Sequence, residues 1–230
     1  MSPTSAASAP NRFTEAFGDW TPQAVVFDCD GLLLDTETVW QRAQDTVVGA
    51  RGVTLSAADE AALHGSTLED AAALIAARAG QDPQAIDADL RREFDRELGT
   101  GIRLMPGAEE IVRLTGATVP LGCASNSWLE SLEEKLVLGG LREHFTVLEA
   151  SDTVERAKPA PDMYAAAARA LGADPVRTLA FEDSGTGAQA ARDAGLRLIA
   201  VPAPGHPVPS ADLVLGDLTD PELASWIATW

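Results

Sequence analysis

Asp28 and Asp30 stand two residues apart, directly after the apolar run Ala24-Val25-Val26-Phe27 and just before Gly31. The run is β-rich and bounded by Thr21-Pro22, so it reads as a buried strand that ends on a carboxylate. Side chains alternate along a strand, so the two aspartates point the same way if the strand continues. Like charges that close repel, and a bound cation relieves the repulsion. A polar turn closing the strand, where Asp and Gly are common, accounts for the same residues. Three more groups able to do chemistry follow: Ser125-Asn126, Lys158 in Ala157-Lys158-Pro159-Ala160-Pro161, and Glu182-Asp183-Ser184-Gly185.

The elements that must position these groups fall into two kinds. From Arg103 onward strand and helix alternate. Strands are expected at 120–125, 145–148, 178–181, 197–201 and 213–215. Helices are expected at 106–115, 127–138 (opened by a Ser127/Glu130 capping box), 161–171, 187–194 and 221–228. Such alternation implies a parallel sheet covered by helices on both faces, and the run at 24–27 joins it. Between Thr38 and Leu98 the pattern is helical throughout. Val39, Trp40, Ala43 and Val47 recur at helical spacing, Ser56/Asp59 and Ser66/Glu69 read as helix starts, and Asp82-Pro83 opens a last helix. The sequence thus predicts a tail at 1–20, an α/β core of doubly wound, Rossmann-like type at 21–36 and 102–230, and a small all-helical insert at 37–101.

In open parallel sheets, ligands bind beyond the carboxyl ends of the strands. Asp28/Asp30, Ser125-Asn126 and Glu182-Asp183 all end strands, and Lys158 stands in a rigid loop leading into a helix. Taken singly, each has a plain explanation as a strand-end hydroxyl, a solvated lysine or a helix cap. Together on one edge they make a phosphoryl site. Hard carboxylate oxygens without histidine suit Mg²⁺. A phosphoryl group in transfer carries dispersed negative charge and needs cations and oriented donors. Mg²⁺, Lys158, Ser125 and the N–H groups of the following helix start supply them. One aspartate can attack as nucleophile, and another carboxylate can protonate the departing oxygen and then activate water.

The whole chain sets limits on partners. It has 230 residues, 46% of them hydrophobic, and a net charge of −18. That charge argues against nucleic acid or an anionic membrane surface, but not against a small phosphorylated substrate, because a local cation inverts the field of one pocket. No apolar run approaches the roughly 20 residues of a membrane span, and Met1–Ala9 lacks the basic start and apolar run of a secretory signal. Cys29 and Cys123 show neither zinc nor redox spacing, so a reducing cytoplasm is the default location. Oligomeric state is left open, with a monomer the simplest expectation.

The stretch Asp28-Cys29-Asp30-Gly31-Leu32-Leu33-Leu34-Asp35-Thr36-Glu37 resembles the first motif of the haloacid dehalogenase-like hydrolase superfamily. Ser125-Asn126, Lys158-Pro159-Ala160-Pro161-Asp162 and Phe181-Glu182-Asp183-Ser184-Gly185-Thr186-Gly187 resemble its second, third and fourth motifs, in order. The resemblance implies a Rossmann-like core with a helical cap inserted after the first motif. It implies Asp28 as nucleophile, Asp30 as general acid/base, and Ser125, Asn126 and Lys158 on the phosphoryl group. It also implies Mg²⁺ held by Asp28, the Asp30 backbone carbonyl and Asp183, with Glu182 as ligand or close support. An aspartate at position 30 favours phosphate esters over halides or phosphonates, in the branch of the sugar-phosphate phosphatases and β-phosphoglucomutases. The mutases carry a basic pair on the cap, where this chain has His64 and Leu68 in Leu63-His64-Gly65-Ser66-Thr67-Leu68.

The expected activity is therefore a Mg²⁺-dependent phosphatase acting on a small phosphorylated metabolite, a sugar or polyol phosphate, through an aspartyl-phosphate. Glu37 and His64 are the candidates for contacting the rest of the substrate. A phosphomutase is the enzymatic alternative. A phosphorylatable signalling module or a binding protein without turnover is the non-enzymatic one, and only turnover requires Asp30.

Overall fold

The computed structural model describes residues 12–63 and 66–230. In chain order its elements are α1 (Arg12–Phe17), β1 (Ala24–Phe27), α2 (Thr36–Ala50), α3 (Ala57–Leu63), α4 (Leu68–Ala79), α5 (Pro83–Gly99), α6 (Ala108–Gly116), β2 (Leu121–Ala124), α7 (Leu129–Leu138), β3 (Val147–Glu149), α8 (Asp162–Ala170), β4 (Thr178–Glu182), α9 (Gly185–Asp193), β5 (Arg197–Ala200), β6 (Leu213–Val214) and α10 (Pro221–Ile227). The chain divides into two compact units, one of residues up to Leu33 and from Leu104 to Trp230, the other of Leu34–Arg103. Among the described residues no helix is long and apolar enough to cross a membrane.

The first unit is an α/β layer structure on a six-stranded sheet ordered β3-β2-β1-β4-β5-β6, with every pairing parallel. Helices cover the sheet, so β1, β2 and β4 are buried along their whole length and read as continuous apolar runs. Phe27 faces Phe181 across the β1–β4 register, and the two rings stack at 4.9 Å. Alanines of α8 and α9, among them Ala167, Ala188 and Ala191, pack against Val26, Ala124 and Ala180 of the sheet. Their small side chains let helix and sheet approach closely. The order of connections reverses at β1, with β2 and β3 on one side and β4 to β6 on the other. That reversal opens a crevice at the carboxyl end of β1.

Residues 12–20, expected as part of a tail, are folded into this unit. Phe13 and Phe17 share one face of α1 at i, i+4 spacing. Phe13 is fully buried and stacks on Trp226 of α10 at 5.1 Å, and Phe17 stacks on the same ring at 4.8 Å. The Arg197 guanidinium covers the Phe17 ring at 4.7 Å. A six-residue helix has no stability of its own, and this one exists because its rings are buried. Phe13→Ala is accordingly expected to cost about 3–5 kcal/mol of unfolding free energy. The expected readout is a lower denaturant midpoint at unchanged slope.

The second unit packs α2–α5 around Val47, Leu63, Ile75, Ile86 and Leu90, with Trp40 edge-on to Phe94 at 5.9 Å. Asp35 caps α2 through the Thr38 N–H, Ser56 and Asp59 form the reciprocal box before α3, and Asp82 with Pro83 opens α5. Helix α4 starts one residue later than the Ser66/Glu69 spacing suggests, because Thr67 is the cap and takes the Asp70 N–H. The two ends of the unit run side by side. The Asp35 N–H donates to the Arg103 carbonyl at 2.9 Å, and the Arg103 guanidinium donates to the Asp35 carboxylate at 2.7 Å.

Candidate active site

Three strand ends and one loop meet beyond β1. The Asp28 N–H extends the β1–β4 ladder by donating to the Phe181 carbonyl at 3.0 Å, which aims its side chain into the crevice. Lys158, buried in the loop before α8, donates to Asp28 Oδ1 at 2.6 Å, Glu182 Oε1 at 2.6 Å and the Ala124 carbonyl at 2.9 Å. Three acceptors saturate its three N–H donors and tie β1, β2 and β4 to one ammonium. The Tyr164 hydroxyl donates to the same Glu182 oxygen at 2.7 Å, and the Tyr164 ring lies 5.0 Å from the lysine nitrogen. Glu182 Oε2 accepts from the Ser184 N–H at 3.2 Å and from its hydroxyl at 3.0 Å. Both Glu182 oxygens are thus engaged in fixing Lys158 and the turn into α9. A Cβ at Gly187 would fall on this carboxylate, so the glycine is what lets α9 sit over it.

Asp183 completes an acidic corner. Oxygens of Asp28, Glu182 and Asp183 all lie within 4.8 Å of one another. Gly31 sits at φ +82° with no side chain, and a Cβ there would collide with the Asp183 carboxylate. Burial pushes Asp28 well above the usual carboxylate range, and Glu182, Asp183 and Asp30 push it further against the pull of Lys158. Burial, with Glu182 beside it, pushes Asp183 up to about 7. Four carboxyl groups (Asp28, Asp30, Glu182, Asp183) share this corner with two buried lysines, Lys158 and Lys135, so acidic groups are in excess. An oxygen-only corner with that excess fits a hard divalent cation.

Asp30 lives in a different environment. Its Oδ2 accepts from the Ser125 hydroxyl at 2.8 Å and the Ser127 hydroxyl at 3.2 Å, and its Oδ1 accepts from Lys135 Nζ at 2.5 Å. Burial alone would raise this carboxyl, but the Lys135 ammonium and the two hydroxyls outweigh it and hold it below the usual range. Ser127 therefore does not cap a helix with Glu130, as its spacing suggests. Helix α7 begins at Leu129 behind Trp128, which offers no side-chain cap, and the Leu129 N–H goes to Asp152 at 2.8 Å. The hydroxyl is drawn off because a carboxylate is the stronger acceptor.

The remaining candidates are placed as follows. Asn126 Nδ2 donates to the Lys158 carbonyl at 3.2 Å and its Oδ1 accepts the Lys158 N–H at 3.0 Å, so its side chain braces the lysine loop. Glu37 stands in the first turn of α2, in the second unit, and lines a cavity of about 510 Å³ there with Gln41, Gln44, Asp45 and Glu60. His64 lies outside the described residues. Lys135 and Tyr164 contact the site and were not singled out from the sequence, while Ser127 was read only as a helix cap and Ser184 only as part of the strand end Glu182-Asp183-Ser184-Gly185. Lys135 left one signal, a charged residue on the same helical face as Leu132 and Leu136.

A family model described as haloacid dehalogenase-like hydrolase matches residues 25–201, a span that holds all four groups. The chain belongs to that family. This haloacid dehalogenase-like hydrolase is 34% identical over 186 residues to hexitol phosphatase B of Escherichia coli K12, covering 79% of this chain and 84% of the relative. It is 32% identical over 179 residues to the fructose-1-phosphate phosphatase YqaB of the same organism, covering 77% of this chain and 95% of the relative. A HAD-family hydrolase of Deinococcus radiodurans R1, solved with bound phosphate and sodium, superposes with a TM-score of 0.74 at 31% identity, covering 90% of this chain and 96% of the other. On this kinship the haloacid dehalogenase-like hydrolase is a phosphoric monoester hydrolase of the sugar-phosphatase branch.

Proposed function

We propose that the protein is a Mg²⁺-dependent phosphatase of small sugar or polyol phosphates that works through an aspartyl-phosphate on Asp28. One observation carries the reading: two aspartates two residues apart are held in opposite environments, each with its own ammonium. Paired titratable groups driven apart in this way mark a division of acid–base labour. The relatives that hydrolyse hexitol phosphates and fructose 1-phosphate support the substrate class.

The chain's own residues divide the reaction. Asp28, at the open end of β1, attacks phosphorus while the ester P–O bond breaks, and the departing oxygen takes a proton from Asp30. Water then attacks the aspartyl-phosphate, passes a proton to the Asp30 carboxylate, and frees inorganic phosphate and Asp28. Asp30 is ionised in the metal-free, substrate-free geometry, and the negative phosphoryl group raises it on binding. Lys158 keeps Asp28 directed at the substrate and neutralises charge on the phosphoryl oxygens. Asp28, Asp183 and the Asp30 carbonyl would hold Mg²⁺, which supplies positive charge for the transferring phosphoryl group and keeps Asp28 ionised.

A panel of sugar and polyol phosphates tests the reading: free phosphate is expected with Mg²⁺ and none in EDTA. Isomerised product without free phosphate would replace it by the mutase reading. Binding of the cation is also expected to show in stability. Asp183 sits at about 7 against 3.8 for an ordinary aspartate, so the metal-free fold keeps this group's contribution at low pH and loses it as pH rises through about 7. Mg²⁺ at 100 times its dissociation constant stabilises by about 2.7 kcal/mol. The Mg²⁺-induced rise in Tm is expected to be larger at pH 8 than at pH 6; an equal rise at both would remove Asp183 from the cation site.

A further inference from the structure

Helix α7 buries a lysine. Lys135 shares the inward face with Leu132 and Leu136 and is 2% exposed. A lysine is almost never buried so fully without a partner. Its Nζ donates to Asp30 Oδ1 at 2.5 Å and Ser127 Oγ at 2.7 Å, and the Ser127 hydroxyl donates in turn to Asp30 Oδ2 at 3.2 Å. With Ser125, three side chains converge on one carboxylate, whose side chain stays 33% exposed and open to a reactant. Lys158 spends its three bonds on Asp28, Glu182 and the Ala124 carbonyl. The cation that fixes Asp30 therefore comes from a different element, ten residues along the chain from Ser125.

We propose that Lys135 is a positioning residue for hydrolysis that acts through Asp30. Together with Ser127 it pins the carboxylate on the Ser125 side of the crevice, apart from Asp28, where it can exchange one proton with the departing oxygen and then with the attacking water. Without the ammonium, the Asp30 side chain is free to turn about its two rotatable bonds, and the proton arrives less often in line with the breaking bond. The proposal rests on the reading of Asp30 as the group that moves that proton.

Leaving-group dependence tests both and separates them. Nitrophenolate departs from p-nitrophenyl phosphate without a proton, whereas the alkoxide of glycerol phosphate needs one. Asp30→Asn is expected to lower kcat/KM by about 10²-fold or more on glycerol phosphate and by less than about fivefold on p-nitrophenyl phosphate. Lys135→Met is expected to show the same selective loss, and Ser127→Ala a smaller loss of the same sense. Folding of each variant is checked by a cooperative melt. Selective loss in Asp30→Asn with equal losses on both substrates in Lys135→Met reduces Lys135 to a packing residue and overturns the proposal. Equal losses in Asp30→Asn overturn the reading of Asp30 and the proposal with it. If Lys135→Met does not fold, Ser127→Ala decides: no selectivity there overturns the proposal.

Discussion

Asp28→Asn is expected to slow phosphate release by at least about 10⁴-fold while leaving the protein folded, since removing a nucleophile disables every group that works with it. Neither Glu182 nor Asp30 is free to replace it. Glu182 has both oxygens bound by Lys158, Tyr164 and Ser184, and Asp30 is held by Lys135 and two serines. The stability of the variant is expected to hold or rise, because Asp28 is a buried carboxylate facing Glu182, Asp183 and Asp30, and its charge is raised in energy by all three. Lys158 keeps Glu182 and the Ala124 carbonyl as acceptors after the change. Acid quenching during turnover of labelled substrate should leave phosphate on the wild-type chain and none on Asp28→Asn. Turnover by the variant at more than about a hundredth of the wild-type rate would exclude Asp28 as the attacking group.

The strand that leads into Asp28 was legible because its surroundings are uniform. A parallel strand covered on both faces must be apolar throughout, so Ala24–Phe27 announces itself and the first polar residue after it marks the crevice. Ser125 and Glu182-Asp183 were legible by the same rule, since each follows or ends an apolar run, whereas Lys158 was legible from its proline-bounded loop leading into a helix. What sequence could not show is which neighbour a polar group chooses. Ser127 and Glu130 have the spacing of a capping box, and only a carboxylate 97 residues upstream explains why the serine hydroxyl leaves the helix end. Lys135 is a similar case: its position on an apolar face is visible, but its partner Asp30 lies 105 residues away. Tyr164 looks like one more apolar residue of an alanine-rich helix until Glu182 is seen under its hydroxyl. Phe13 and Phe17 had the right spacing for a buried helical face, but six residues fall below the length at which periodicity identifies a helix.

Lys158→Met is expected to cost about 3–5 kcal/mol of stability and about 10³-fold in kcat, and the two losses have different owners. The stability loss belongs to Glu182. This carboxylate is fully buried, and Lys158 is the cation that contacts it among the described residues; Tyr164 and Ser184 can only offer neutral donors. Methionine fills the volume of the lysine stem but leaves the charge without a counterpart. The activity loss belongs to Asp28 and the phosphoryl group, which lose a directing ammonium. A second substitution separates them. Lys158→Met with Glu182→Gln removes the stranded charge while keeping an acceptor for Tyr164 and Ser184, and is expected to regain at least about 2 kcal/mol. It should regain no activity, since neither residue of the double variant can stabilise a transferring phosphoryl group. Denaturant unfolding of the four proteins gives the coupling energy directly, and phosphate release on the same samples gives the catalytic side. If the double variant is no more stable than Lys158→Met, the lysine is held for Asp28 alone and Glu182 owes its burial to Tyr164 and Ser184. If it recovers activity, Lys158 is a structural counter-ion and the phosphoryl charge is met by other groups.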